Sequence, residues 1–181
     1  VDAEPDHIPM LAVFDHEEVG SGTRSGAAGP FLSDVLERLW LGLGADREQQ
    51  LRALSDSWCV SSDVGHSIHP NYAEKHDPVV QPVLGSGPIL KINANQRYAT
   101  DAAGAAAWNG WCLAAGANVQ EFVSHNGVPC GSTIGPITAT RLGIRTIDVG
   151  IPILSMHSAR ELAGVSDLWD LRRVAQAYLG G

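Results

Sequence analysis

Four consecutive residues near the start of the sequence combine three carboxylates with an imidazole. Asp15, His16, Glu17 and Glu18 follow directly on an apolar run at residues 8–14. Repulsion among the carboxylates is costly unless a cation or a proton lies among them. Glu17 and Glu18 point in roughly opposite directions in an extended chain, so one could bind a metal ion while the other acts on the metal-bound water. A solvated turn with helix-capping acids explains the same residues equally well.

A second group of metal-binding residue types consists of Asp63, His66 and His69, spaced at intervals of three. Carboxylate and imidazole ligands suit zinc, manganese or cobalt. Loop histidines that are hydrogen-bonded to the backbone are the alternative for His66 and His69. His157 follows an apolar stretch, and taken by itself it is more typical of a structural histidine than of a ligand.

Basic and hydroxyl groups that could face these acids are Lys91 and Arg97, with Tyr98 nearby. An ammonium group that reaches a cleft full of carboxylates either forms a structural ion pair or recognises an acidic group of a substrate. The sequence alone slightly favours the ion pair.

Three further motifs are incomplete. His16, Glu17 and Glu18 match the first half of a zinc deaminase signature, but the second half has Cys130 as the only one of its two cysteines. A serine-hydrolase elbow requires glycine where His69 stands. Residues 131–135 could offer backbone N–H groups to an anion at a helix start but lack the lysine of a P-loop. A helix cap near the site is the simpler interpretation of that segment.

Composition excludes several classes of protein. With 181 residues, 44% of them apolar and 18% charged, the chain has the size and composition of one folded domain. A formal charge of −8 argues against nucleic-acid or anionic-membrane partners, which need clustered positive charge, and is compatible with cation binding. There is no membrane-spanning apolar run and no signal-peptide pattern at residues 1–5. Because three irregularly spaced cysteines suit a reducing compartment, we expect a cytoplasmic protein.

Alternating strand and helix patterns must position these residues. A continuous apolar run predicts a strand at residues 8–14, and short strand-like stretches predict strands at residues 58–62, 88–92, 119–123 and 144–149. Helical spacing predicts helices at residues 30–43, 46–54, 101–117, 132–142 and 166–179, the last with Leu168, Leu171, Val174 and Leu179 facing inward. The alternation predicts an α/β three-layer sandwich with a largely parallel or mixed sheet, as a single domain over residues 1–181. The polar clusters then lie at the carboxyl ends of strands, where such folds bind ligands.

Taken together, five segments resemble the aspartyl aminopeptidase family, zinc metallopeptidases that remove an N-terminal acidic residue from peptides. The segments are residues 14–21, 62–76, 91–101, 129–136 and 148–158. They occur in the family's order and extend over nearly the whole sequence. The resemblance implies an α/β fold of the zinc-peptidase type, which is phosphorylase/hydrolase-like, and it implies peptide substrates with an N-terminal acidic residue.

The resemblance also implies roles for individual residues. Glu17 matches the general base that takes a proton from a metal-bridging water. Glu18 and His157 match ligands of one zinc ion, and Asp63 matches a ligand of the other, so the implied cofactors are two divalent metal ions, with zinc expected. Substrate-contacting positions are matched by His66, Lys91 and Tyr98, of which Lys91 is a plausible partner for the acidic side chain. His16 and His69 receive no role.

One part of the family pattern has no counterpart before Asp15. In the family, another zinc-binding histidine, the aspartate that bridges both metals and an inserted domain behind the large homo-oligomers all lie upstream of residues 15–21. We therefore expect the C-terminal portion of a longer enzyme, inactive alone, whose partners are the missing segment or other subunits. The alternative is a non-catalytic fragment that assembles with a partner chain and lacks the complete metal site.

Overall fold

The computed structural model describes residues 7–181 of the chain. The expectation that residues 1–5 carry no signal peptide lies outside the described residues. Within the described part of the chain, no helix is both long enough and apolar enough to cross a membrane.

One mixed sheet forms the centre of the fold. Its strands are β1 (Trp58–His66), β2 (Ile89–Lys91), β3 (Gln120–Phe122), β4 (Arg145–Leu154) and β5 (Leu162–Ala163). They lie in the order β1-β4-β2-β3, and β5 pairs with the end of β4. The pairs β1/β4 and β2/β3 are parallel, whereas β4 is antiparallel to both β2 and β5.

Among residues 7–181, five α-helices accompany the sheet. They are α1 (Phe31–Leu43), α2 (Arg47–Asp56), α3 (Ala102–Ala115), α4 (Gly135–Leu142) and α5 (Val165–Gly180), with short 3-10 turns at Glu17–Val19 and Ala73–Lys75. All five expected helices form, and the sequence marks two of their starts. Asp46 accepts a hydrogen bond from Gln49 N at 2.8 Å and Asp101 one from Gly104 N at 2.7 Å, as N-cap aspartates do. The mixed sheet and its helices confirm the expected α/β class.

The two faces of the sheet have different surroundings. Side chains alternate along a strand, so Leu90 of β2 and Val149 of β4 share one face. There they join the main hydrophobic core with Trp108 of α3 and Val174 of α5. Lys91 and Asp148, one position away on the same two strands, are therefore directed to the opposite face, which carries the polar residues of interest.

The expected strand at residues 8–14 is wrong. The segment has no regular secondary structure, and its apolar side chains are exposed, Leu11 by 84% and Val13 by 78%. No described strand lies beside it to pair with its backbone, and an apolar run without a hydrogen-bonding neighbour does not become a strand. Glu18 consequently follows an unpaired segment rather than a strand.

Other boundaries differ in smaller ways. Strand β1 continues through Asp63 to His66, because this stretch pairs with the second half of β4, which itself extends beyond residue 149 to Leu154. The two-residue β5 was not expected. In α5, Leu168 is half exposed rather than inward, and Asp167 is fully buried instead. The Asp167 carboxylate accepts backbone hydrogen bonds from Gly85 N at 2.7 Å and Gly87 N at 2.8 Å, which satisfies it inside the protein.

Candidate functional site

A cleft of about 580 Å³ opens on the polar face of the sheet. It is lined by all seven residues to which the sequence gives a site role, namely Glu17, Glu18, Asp63, His66, Lys91, Tyr98 and His157. They come from the turn at Glu17–Val19, from β1 and β2, and from the loops after β2 and β4. Residues up to 140 positions apart in the chain therefore share one cavity.

Glu18 and His157 form a carboxylate–imidazole pair within this cleft. His157 Nε2 lies 3.0 Å from Glu18 Oε2, and the side chains are 67% and 73% exposed, respectively. Both residues stand in tight loops, since His16 before the Glu17–Val19 turn has φ +62° and His157 itself has φ +65°. Glu161 accepts a hydrogen bond from His157 N at 2.6 Å and thereby anchors its loop.

Asp63 is held by its own strand and by a buried lysine. One carboxylate oxygen accepts a hydrogen bond from Val64 N at 2.6 Å, and the other lies 3.2 Å from Lys91 Nζ. Lys91 is only 2% exposed and also donates to Val64 O at 2.7 Å. Lys91 thus forms the structural ion pair that the sequence favours. Its two hydrogen bonds use two of its three N–H donors, and the third is not used by either bond.

Glu17 has its pKa raised above the ordinary value for glutamate. Partial burial is the largest cause, followed by the negative charges of Asp63 and Glu18, while Lys91 and His157 act in the opposite direction. A carboxylate with a raised pKa is a stronger base than an ordinary one and can take up a proton nearer neutral pH. The environment of Glu17 is therefore suited to proton transfer.

Tyr98 is nearly buried in the cleft wall. Its ring packs edge-on against Phe122 with centroids 6.1 Å apart, and Lys91 Nζ lies 5.6 Å from the ring centroid. Burial, followed by a hydrogen bond with Cys130, raises the pKa of the Tyr98 phenol far above its ordinary value. The hydroxyl stays neutral and keeps its proton as a hydrogen-bond donor.

Several histidines besides His157 border the cleft, namely His66, His69, His76 and His125. Burial lowers the pKa of His66 and of His76, so both are neutral near pH 7. His69 Nδ1 accepts a hydrogen bond from Asn71 N at 3.1 Å, and its ring contacts Tyr72. His69 therefore has the backbone-bonded arrangement of a loop histidine.

The start of α4 is occupied by the protein's own carboxylate. Asp148 accepts a hydrogen bond from Thr133 Oγ1 at 2.5 Å, and a Cβ on Gly135 would lie 2.3 Å from its Oδ1. The N-cap residue of α4, Ile134, makes no side-chain cap, and Gly135 N donates instead to Thr133 Oγ1 at 3.3 Å. With the Asp148 carboxylate packed against Gly135, the segment 131–135 is not a cradle for a phosphate. Asp148, His76 and Cys130 receive no role from the sequence. For Asp148 a signal existed, because a carboxylate inside an apolar strand requires buried partners.

Some of the carboxylate and imidazole atoms in the cleft are placed so that they could bind a divalent metal ion. Glu18 and His157 offer an accessible carboxylate and imidazole side by side, which is a donor pair typical of zinc. Asp63 has both oxygens engaged by Val64 and Lys91. Among residues 7–181 no three His, Cys, Asp or Glu side chains converge into a ready-made metal site. The pair fits one ion, and Asp63 would have to exchange its lysine contact to join another.

Comparison with known proteins finds relatives of this chain in both sequence and fold. A "Probable M18 family aminopeptidase 2" from Streptomyces avermitilis is 53% identical over 180 residues, which are 99% of this chain and 42% of that protein. The chain thus spans about two fifths of the length of that relative. The S. cerevisiae mApe1 dodecamer superimposes with a TM-score of 0.79 at 34% identity, over 91% of this chain and 36% of that one.

A second solved structure, the cryo-EM structure of the Ape4 and Nbr1 complex, contains a chain that superimposes with a TM-score of 0.89 at 40% identity. The match covers 92% of this chain and 32% of that one. Residues 2–178 match the family described as aminopeptidase I zinc metalloprotease (M18). Since this match takes in nearly every residue, the chain belongs to the M18 family of zinc metalloproteases.

Proposed function

We propose that this chain carries catalytic residues of a binuclear, zinc-dependent aminopeptidase that removes an N-terminal acidic residue from peptides. One observation supports the proposal above the others. Glu17, Glu18, Asp63 and His157, which lie far apart in the sequence, border the same cleft, and the charges of the other three act on the pKa of Glu17. The M18 zinc metalloprotease match supports zinc as the metal.

In this proposal the residues of the chain divide the work among them. Glu18 and His157 would hold one ion, and Asp63 would hold the other once it exchanges its contact with Lys91. Divalent ions bound there supply Lewis acidity toward the scissile carbonyl and lower the pKa of water. The Glu17 carboxylate accepts the proton of the attacking water and later returns it to the nitrogen of the leaving amine. Its raised pKa favours the first transfer.

Lys91 is the residue that we propose for recognition of the acidic side chain. Its ammonium is buried in the cleft floor, and it already carries an ion pair with Asp63. One of its donors remains for a substrate carboxylate, and hydrogen bonds between charged groups are stronger than neutral ones. His66 and Tyr98, which line the same cleft, complete the proposed substrate contacts.

Partners and location follow from the same proposal. The relatives are more than twice as long as this chain, and one solved relative is a dodecamer. We propose that further polypeptide, either a segment equivalent to the rest of the relatives or other subunits, completes the site. The cysteines Cys59, Cys112 and Cys130 are unpaired, which supports a cytoplasmic location.

The substitution Glu17→Gln tests the proposed base. We expect turnover of an aspartyl peptide substrate to fall by at least about 100-fold, the scale of general-base catalysis, while bound zinc is retained. The assay uses the protein with the partners that co-purify with it, and metal content is measured by mass spectrometry on the same sample. Glu48→Gln, on an exposed turn of α2 outside the cleft, is the matched control. Substantial activity in Glu17→Gln would contradict the role of Glu17.

A further inference from the structure

Asp148 is a fully buried carboxylate on the cleft side of β4. Its Oδ2 accepts a hydrogen bond from Ala99 N at 2.6 Å, and its Oδ1 accepts one from Thr133 Oγ1 at 2.5 Å. None of the ion pairs among the described residues includes Asp148. Burying a carboxylate without a cationic partner costs free energy unless hydrogen bonds compensate for the lost hydration. These two hydrogen bonds therefore offset the cost of burying Asp148.

Further contacts tie the same residue to the same two loops. Asp148 N donates to Thr100 Oγ1 at 2.9 Å, next to Ala99 in the chain. The carboxylate also packs against Gly135 so closely that a side chain there would overlap it. The loop at residues 97–100 and the loop at residues 130–135 are therefore both fastened to β4 through this single residue.

These two loops form one wall of the cleft. Tyr98, Cys130, Ser132 and Thr133 all line it. Ser132 Oγ also donates to Arg97 O at 3.1 Å, which connects the two loops directly. Each loop is otherwise irregular, so its position depends on such bonds rather than on a strand or helix ladder. The shape of the wall consequently depends on the hydrogen bonds that Asp148 makes with both loops.

We propose that Asp148 is a positioning residue that fixes the substrate-binding wall formed by Tyr98 and residues 130–133. Its carboxylate does not reach substrate and acts through Ala99 and Thr133. Removing the carboxylate leaves the Ala99 N–H and the Thr133 hydroxyl without their acceptor in a buried setting, which is relieved only if the loops move. The effect on substrate binding rests on the proposed function, whereas the effect on the wall does not.

Kinetics provide the first test, on the protein with its co-purifying partners and an aspartyl p-nitroanilide substrate. Asp148→Ala is expected to raise KM by about tenfold, the scale of one lost buried hydrogen bond to a charged group, with kcat changed less than about threefold. Asp148→Asn retains an acceptor for Ala99 N and a donor for Thr133 Oγ1, so it is expected to restore most of the affinity. Equal KM values for all three proteins would overturn the proposal.

Alkylation of Cys130 provides a second test that needs no peptidase activity. Its rate with iodoacetamide, followed by peptide mass spectrometry, reports on the position of the wall. Asp148→Ala is expected to accelerate it by about tenfold because the loop opens more often. Asp167→Ala is the matched control, since Asp167 is equally buried and also accepts two hydrogen bonds, but its partners Gly85 and Gly87 lie outside the cleft lining.

The two tests together separate the two proposals. Acceleration at Cys130 in Asp148→Ala alone supports the positioning role even if no protein cleaves the substrate, in which case only the proposed function fails. An unchanged rate, or an equal acceleration in Asp167→Ala, overturns the positioning role. If Asp148→Ala does not fold, Thr133→Val replaces it, because it removes one of the two hydrogen bonds. We then expect a smaller rise in KM and a smaller acceleration of Cys130 alkylation.

Discussion

A structural role and the proposed recognition role of Lys91 predict different effects of its removal. Lys91 is nearly inaccessible and bonded to Asp63 and to the Val64 carbonyl, as a structural lysine would be. Yet it lines the cleft floor 5.6 Å from the Tyr98 ring centroid, where a substrate side chain would enter. A purely structural ion pair affects every substrate alike, whereas a recognition residue affects acidic substrates selectively. Only the second role changes a ratio of activities.

The ratio of aspartyl to leucyl substrate cleavage therefore tests Lys91. We expect Lys91→Ala to lower kcat/KM for the aspartyl substrate about 10- to 100-fold more than for the leucyl one, because a charged hydrogen bond is lost only with the acidic side chain. Lys75→Ala is the matched control, since Lys75 borders the same cleft from the turn at Ala73–Lys75. Equal losses on both substrates would assign Lys91 to Asp63 alone.

At the level of single residues, the sequence indicates which side chains could do chemistry better than it indicates which residues those side chains contact. The seven predicted site residues all border the cleft. Residue type alone drew attention to the acids and to Lys91, whereas the resemblance to a known family was needed to select His66, His157 and Tyr98. The ion pair between Asp63 and Lys91 could not be assigned from the sequence, since it joins residues on two strands that are separated in the sheet by β4. The same holds for Asp148, whose hydrogen-bond partners lie 15 and 49 positions away.

Among the elements, the contact between β1 and β4 determines where the site residues stand. Asp63 on β1 pairs with Gly150 on β4, and a Cβ at Gly150 would lie 1.6 Å from the Asp63 carbonyl oxygen. The backbone of β1 cannot move away from such a Cβ without breaking the pairing with β4 that holds Asp63 in place. Glycine at position 150 is therefore a requirement of the strand pairing.

Two glycine substitutions should have opposite effects on stability. Gly150→Ala is expected to lower the free energy of unfolding by about 1–3 kcal/mol or more, because the new methyl group overlaps backbone. Gly110→Ala, in the middle of α3 with open space around the position, is expected to raise it by about 0.5–1 kcal/mol. Urea unfolding followed by circular dichroism measures both. A stable Gly150→Ala protein would mean that β1 and β4 pair less closely than described.

Elements with a complete local signal were predicted well. The helices α2 and α3 begin at aspartate caps and carry clear sequence patterns, and β2 and β3 lie within the short stretches predicted as strands. The errors arose where a neighbour decides the outcome. Residues 8–14 have the composition of a strand but no described strand beside them. Asp167 rather than Leu168 faces inward because two backbone N–H groups donate hydrogen bonds to its carboxylate.

For the whole molecule, the most informative surface is the apolar one near the start of the chain. Ile8, Leu11 and Val13 are largely exposed, and the ring of Phe14 contacts Phe31 at the start of α1. Val35 and Leu39, one and two turns further along α1, are exposed as well. Exposed apolar side chains on two neighbouring segments favour an interaction site there. The unpaired segment 8–14 also offers free backbone groups to an added strand.

Assembly should therefore depend on this segment. We expect the wild-type chain to be recovered with further polypeptide or further copies, and the double substitution Leu11→Asp and Val13→Asp to disrupt that assembly, because two buried charges in an apolar interface are costly. Native mass spectrometry of the purified protein gives the mass directly. Val79→Asp is the control, since Val79 is equally exposed but lies in the loop before β2. If the wild-type chain were found only at its own 19.1 kDa, the exposed surface would have no partner and the proposed completion of the site would be wrong.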